Sequence, residues 1–246
     1  NSVLVIPEVN LNELLINDAL LYLQNKNAEI NFNRIVKRIG FSEDLKTAEY
    51  ISFEDGSKIS QDYIISAVPF FAFRKLFDEK QYSEEGYKAE ELKASCIVSV
   101  HLFFHNKISE SMLSDNSFGM TGLIGTDVQW IFKRSDFHLS LVISNADASG
   151  ITEMNNEEIY KACLKDLKST LTEFNETMIS DYKVIKEKRA TFIPDKESSK
   201  YRPGHITDSR NFFIAGDWTD TKLPSTIEGA ILSGRICADK IIESEN

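Results

Sequence analysis

Asn211-Phe212-Phe213-Ile214-Ala215-Gly216-Asp217, followed by Pro224-Ser225-Thr226-Ile227-Glu228-Gly229-Ala230, is the stretch whose reading decides the fold. Its first five residues form a short, nearly continuous apolar run, the pattern of a strand buried on both faces of a parallel sheet. Gly216-Asp217 breaks the run, because glycine lets the backbone turn tightly and come close to a ligand. Trp218 to Lys222 is a polar loop. Pro224 and Ser225 then announce a helix, and Ser225 with Glu228 predicts an S-x-x-E capping box. Ile227, Ala230, Ile231, Gly234, Ala238 and Ile241 recur at helical spacing and predict its packed face. Such a unit sets the helix N-terminus beside the Gly-Asp turn, at the carboxyl end of the strand. In open α/β sheets that is where ligands gather.

The chemistry available there is specific. A helix N-terminus offers unpaired N–H groups and a partial positive charge, which suit a phosphate or a ring that becomes anionic on reduction. Asp217 could accept hydrogen bonds from sugar-like hydroxyls. From residue types alone, the same stretch also reads as an ordinary strand–loop–helix unit with a capped helix, since short motifs recur by chance.

Ile214-Ala215-Gly216-Asp217-Trp218-Thr219-Asp220, with Leu223-Pro224-Ser225-Thr226-Ile227-Glu228-Gly229-Ala230, resembles the C-terminal FAD signature of the flavin amine oxidase superfamily. Within that superfamily it looks most like the squalene-associated FAD-dependent desaturases, or hydroxysqualene dehydroxylases, and it is similar to carotenoid desaturases. The resemblance implies that Gly216 and Asp217 meet the ribityl and pyrophosphate region of FAD. It implies that Thr226, Ile227 and Gly229 meet the O2 edge of the isoalloxazine.

Composition sets wide bounds. A chain of 246 residues with 42% hydrophobic and 27% charged residues can bury one large core or two small ones. The net charge of −10 argues against nucleic-acid binding, which needs a basic footprint, and disfavours broad attraction to anionic lipid. Cys96, Cys163 and Cys237 are far apart, with no C-x-x-C or C-x-x-H grouping, so no zinc site is expected. Scattered thiols fit packing roles and a reducing cytoplasm. No apolar stretch is long enough for a membrane span, and no signal peptide is visible. The first residue is Asn, which leads us to expect that the chain begins inside a longer protein.

Working back to the start, residues 1–6 are apolar and end at Pro7. Asn10 and Glu13 predict an N-capped amphipathic helix over 11–25 with Leu11, Leu14, Leu15, Ala19, Tyr22 and Leu23 on one face. The related desaturases carry two glycines just before this helix, where this chain has Val9-Asn10. Residues 30–39 read as a strand, Asp55-Gly56 as a type I′ hairpin, and 63–69 as a strand leading into an apolar segment ending at Phe77. Residues 28–69 resemble the middle piece of the family's FAD domain, which implies that Val36 holds the adenine through its backbone. On pattern alone, Val36 is core.

Residues 78–93, rich in Glu and Lys, read as a solvated helix or linker and a domain boundary. Beyond it, 97–104, 128–133, 139–145 and 183–193 read as strands and 156–171 as a helix, predicting an antiparallel sheet with a helix packed on it. His101 and His105 could form a metal pair on one strand face, though nothing accompanies them and packing or surface roles suffice. Lys186-Glu187-Lys188-Arg189-Ala190-Thr191-Phe192 alternates charge. It reads as a solvated strand face, while its resemblance to a desaturase run would aim a basic side chain at the flavin or a leaving hydroxyl. Phe103, Phe118, Trp130 and Phe132 could line a tunnel for a long isoprenoid or simply fill a core. No Walker, G-x-S-x-G, H-E-x-x-H or G-x-G-x-x-G motif occurs.

The expected fold is therefore mixed α/β (α+β): the later part of a GR2-type FAD-binding domain plus an antiparallel-sheet substrate domain. Residues 1–77 would be the middle and 200–246 the C-terminal part of the former, with 78–199 the latter. The resemblance implies the C-terminal portion of an FAD-dependent oxidoreductase, moving hydride between flavin N5 and an isoprenoid such as hydroxysqualene or a carotene precursor. It gives no catalytic acid or base. The scattered thiols lead us to expect a cytoplasmic protein, compatible with peripheral membrane contact, and the missing N-terminal unit a fragment that holds FAD weakly or not at all and is inactive alone. A flavin amine oxidase and a non-catalytic folded module are the alternatives.

Overall fold

The computed structural model describes residues 7, 9–84, 87–109, 111–113 and 119–245; the apolar start at 1–6, Glu85 and Phe118 lie outside the described residues. Strand β4 (Ile64–Ser66) and strand β10 (Phe212–Ile214) form a parallel pair, with Ile64 opposite Phe212 and Ser66 opposite Ile214. All three residues of β10 are buried, as a run apolar on both faces requires. One face of the pair meets α2 (Phe70–Phe73), and the other meets α5 (Ile227–Glu245) through Cys237. Beside the pair lies an antiparallel sheet of β1 (Val36–Phe41), β2 (Ala48–Phe53) and β3 (Lys58–Ile59). The Asn211 amide joins the two by accepting from Ala48 N at 2.7 Å and donating to Ala48 O at 2.9 Å and Asp62 O at 3.0 Å.

The middle of the chain builds a five-stranded antiparallel sheet in the order β6-β7-β8-β5-β9. Its strands are β5 (Ala94–Phe104), β6 (Met120–Gly122), β7 (Trp130–Ser135), β8 (His138–Ile143) and β9 (Ile179–Phe192). Cys96, Val98, Val100, Leu102 and Phe104 alternate inward along β5. They pack under α4 (Asn156–Thr170), which buries Ile159, Cys163, Leu164 and Leu167. Asn155 and Glu158 close a reciprocal capping box at 3.0 and 2.8 Å. Strand β9 outruns this sheet, so that Phe192 enters the other core with Phe73, Phe212 and Trp218.

Several expectations are corrected. The 11–25 helix exists, as a π-helical turn (Asn12–Asn17) leading into α1 (Asp18–Asn25), and Glu13 N donates to Asn10 Oδ1 at 3.0 Å; none of it is buried. The first strand starts at Val36 rather than 30, because Asn33 adopts φ 57° and breaks the extended run. The 54–57 hairpin is not type I′: only Gly56 there has positive φ, and Asp55 accepts from Ser57 N at 2.8 Å instead. The segment read as a solvated helix or linker does form a helix, α3 (Glu79–Glu84), but it is not solvated throughout, burying Tyr82, Ala89 and Leu92 beside Phe73 and Phe77. Its charges are real, but its few apolar residues decide where it lies.

Candidate functional site

The Gly216 turn is built so that only glycine fits. Its φ is 140°, and a Cβ there would lie 2.7 Å from Trp218 Nε1. The indole is fully buried against Phe73 and donates to Val68 O at 2.9 Å, so it is pinned. Gly216 N donates to Ser233 Oγ of α5 at 2.8 Å, drawing the helix onto the turn. Thr219 Oγ1 donates back to Gly216 O at 2.7 Å.

The next loop is organised by a residue that sequence reading missed. Arg202 donates to Leu223 O at 2.9 Å, to Trp218 O at 3.4 Å, to Asp217 O at 3.3 Å and to Thr219 O. Burial pulls its pKa below the ordinary arginine value, opposed by the Asp220 and Asp217 carboxylates. No local pattern marks it, since its partners are carbonyls 15 to 21 residues away.

The helix start differs from expectation. The Ser225–Glu228 box does not form; Thr226 caps instead, accepting from Gly229 N at 3.2 Å. Ser225 Oγ donates to Asp217 Oδ2 and accepts from Thr191 Oγ1 at 2.8 Å. Among the described residues, Ser225 is the only side chain bonded to the Asp217 carboxylate, and Ile227 and Glu228 N–H have no protein acceptor. A Cβ on Gly229 would come 3.0 Å from Pro224 O. The buried face of α5 is also not the predicted one. Gly229, Ser233 and Cys237 pack inward, while Ile227 and Ile231 are 51% and 61% exposed.

Asp217, Ser225, Thr226, Ile227 and Gly229 are thus brought together around the turn, leaving accepting oxygens, free N–H groups and an apolar side chain together. These fit a flavin: a polyol for the carboxylate, an anionic ring edge for the helix start. Val36 is not part of this cluster. It opens β1 opposite Phe53 and packs on the core.

Elsewhere, His101 and His105 take the packing and surface roles that suffice for them rather than forming a pair. His105 is exposed, and His101 Nδ1 lies 2.9 Å from His138 Nε2 across β5 and β8. Burial first, then neighbouring charge from Arg134 and Lys183, holds the His101 pKa below the ordinary value; burial first, then His101 and Arg134, lowers His138. Among the described residues no group of His, Cys, Asp or Glu could hold a metal ion. In the 186–192 run, Lys186 turns inward and caps Thr152 O at 3.0 Å, while Arg189 lies 4.1 Å over the Phe71 ring. Phe103 and Trp130 are not core. They sit with Phe132 and His138 on the sheet face away from α4, 37% and 41% exposed. Among the described residues no helix is long and apolar enough to cross a membrane.

Known proteins are similar to this chain in sequence and in fold. The chain is 29% identical over 231 residues to the hydroxysqualene dehydroxylase of Zymomonas mobilis, covering 94% of this chain and 51% of that protein. It is 26% identical to the 15-cis-phytoene desaturase of Solanum lycopersicum, covering 90% of this chain and 40% of the relative. The chain therefore spans about half the length of the curated relatives it matches. Among solved structures, an oxidoreductase from Methanosarcina mazei superposes with a TM-score of 0.62 at 17% identity, covering 90% of this chain and 53% of the other. A putrescine oxidase bound to putrescine superposes with a TM-score of 0.63 at 13% identity, covering 92% and 53%. These structures share the mixed α/β fold, of which this chain holds part. The model of the flavin-containing amine oxidoreductases matches residues 16–242, and the chain belongs to that family.

Proposed function

We propose that this chain is the later half of an FAD-dependent oxidoreductase acting on an apolar isoprenoid, such as hydroxysqualene or a carotene precursor. The observation that carries the reading is the Gly216–Asp217 turn set against the capped start of α5, with an acceptor carboxylate and two unpaired N–H groups at one edge. Asp217 would take ribityl hydroxyls, and Thr226, Ile227 and Gly229 the ring edge. Val36 would meet the adenine through its backbone. When bound, FAD supplies the two-electron chemistry. The chain's own residues bind, orient and cover it.

The open aromatic face of Phe103, Trp130 and Phe132 supports a hydrophobic substrate over a small polar one. We propose residues 1–77 and 200–246 as the cofactor lobe and 78–199 as the substrate lobe, with 78–93 and Phe192 packed across the seam. Membrane contact would be peripheral and apolar, since the chain is acidic.

The full-length polypeptide that carries this chain should purify with bound flavin and deplete hydroxysqualene. Oxidation of an amine with hydroxysqualene untouched would favour an amine oxidase. A colourless protein inert to both would make the chain a folded module without redox function.

A further inference from the structure

The carboxylate at the turn is oriented from the neighbouring sheet rather than by its own loop. Thr191, near the end of β9, donates from Oγ1 to Ser225 Oγ at 2.8 Å, and Ser225 donates to Asp217 Oδ2. An ionised carboxylate only accepts, so Ser225 must give Asp217 its one proton and can only accept from Thr191. The relay therefore has a fixed direction. Thr191 is itself held by pairing opposite Ser95 of β5, and two residues earlier Arg189 covers the Phe71 ring. The substrate sheet thus ends in a hydroxyl that sets the rotamer of Ser225, and through it that of Asp217.

We propose that Thr191 and Ser225 are positioning residues for a polyol ligand: they hold the Asp217 carboxylate with its second oxygen free, so that the end of β9 governs flavin affinity. The proposal rests on the flavin reading above. A carboxylate already locked in place has less freedom to lose when ribityl hydroxyls arrive, which favours binding without a new contact.

The test uses the full-length polypeptide with Thr191→Val, which keeps the β-branched shape, together with Ser225→Ala and Asp217→Asn. FAD is titrated by flavin fluorescence, and melting is followed without flavin. Thr191→Val should weaken FAD binding about fivefold, the usual effect of one lost hydrogen bond. Ser225→Ala should weaken it at least as much, with flavin-free melting lowered in both by no more than one lost hydrogen bond accounts for. In the flavin-free protein, Thr191→Val and Asp217→Asn should be non-additive although the two residues do not touch, and should become additive in the Ser225→Ala background. Unchanged FAD affinity in Thr191→Val with a lowered flavin-free melting temperature overturns the proposal and makes Thr191 a seam contact only. A wild-type protein that takes up no FAD overturns the flavin reading instead, and the melting coupling then decides by itself whether the relay orients Asp217.

Discussion

Gly216 shows how one residue can carry both fold and site. Its φ of 140° strains any other residue, and a Cβ would meet an indole that cannot move without breaking its bond to Val68. Gly216→Ala should cost roughly 2–4 kcal/mol, from backbone strain and a displaced hydrogen bond. In thermal denaturation that is a fall of roughly 5–10 °C; an unchanged midpoint would mean the turn relaxes freely. Asp217 differs, because on the proposed reading its carboxylate would serve the ligand more than the loop. Asp217→Ala in the full-length polypeptide should lose roughly 1–3 kcal/mol of flavin affinity, and Asp217→Asn less, since its amide oxygen still accepts. Flavin occupancy and flavin-free melting, measured on the same proteins, separate this from a purely local role, which would lower melting and spare occupancy. The glycine and the aspartate were both legible in the sequence, because a break after a doubly buried strand has few chemical solutions. Ser225 was not: Ser225 and Thr226 can each cap a helix, and the choice is made by Thr191, 34 residues away. Cys163 adds a pH dependence. Burial pushes its thiol from 9.0 up to about 12, so the folded state keeps a proton that the unfolded state releases. Stability from this group is fully present below pH 9 and declines as pH rises toward 12, by at most about 1.4 kcal/mol per unit. Cys163→Ala should flatten urea-unfolding stability over that window, and an unaltered slope would refute the assignment.

At the scale of elements, the strands and the buried face of α4 were read well, and the face of α5 was not. Val98, Val100 and Leu102 announce β5 because alternation directly reflects one covered face. The stripe predicted for α5 failed because hydrophobicity marks what prefers burial, whereas close approach selects small residues. Gly229, Ser233 and Cys237 let the helix lie near β10, and the Gly216 N–H to Ser233 bond needs that distance. The loop between β10 and α5 was opaque for another reason: its conformation is imposed by Arg202 from outside. Arg202→Lys should unfold at a temperature lower by roughly 4–8 °C, because an ammonium cannot reach carbonyls spread along the loop, a loss of about 2 kcal/mol. Proteolysis within 217–223 should rise in parallel. Equal melting and cleavage in the two proteins would show that the loop holds itself.

For the whole molecule, the family resemblance and the packing point to the same incompleteness. The chain spans about half the length of its relatives, and no G-x-G-x-x-G occurs in it. Among the described residues the apolar face of the 11–25 helix is exposed at Leu11, Leu14, Tyr22 and Leu23, as are Ile227, Ile231 and Ile242 on α5. Sequence periodicity identified the first helix correctly, since amphipathicity encodes a face to be buried; it cannot say whether the covering partner is present. The α5 surface flanks β10 and the turn at which a flavin would lie. On the proposed reading the chain in isolation would offer that ligand one wall, with Asp217 and the α5 start but no glycine-rich sequence to receive the pyrophosphate on a second helix N-terminus. Titration of FAD into the isolated chain should therefore show binding weaker than about 1 μM, short of about −8 kcal/mol. The full-length polypeptide should retain flavin through purification. Submicromolar binding by the chain alone would mean that the turn and helix start supply most of the affinity. Equally weak binding by both would locate the flavin outside the cluster around Asp217.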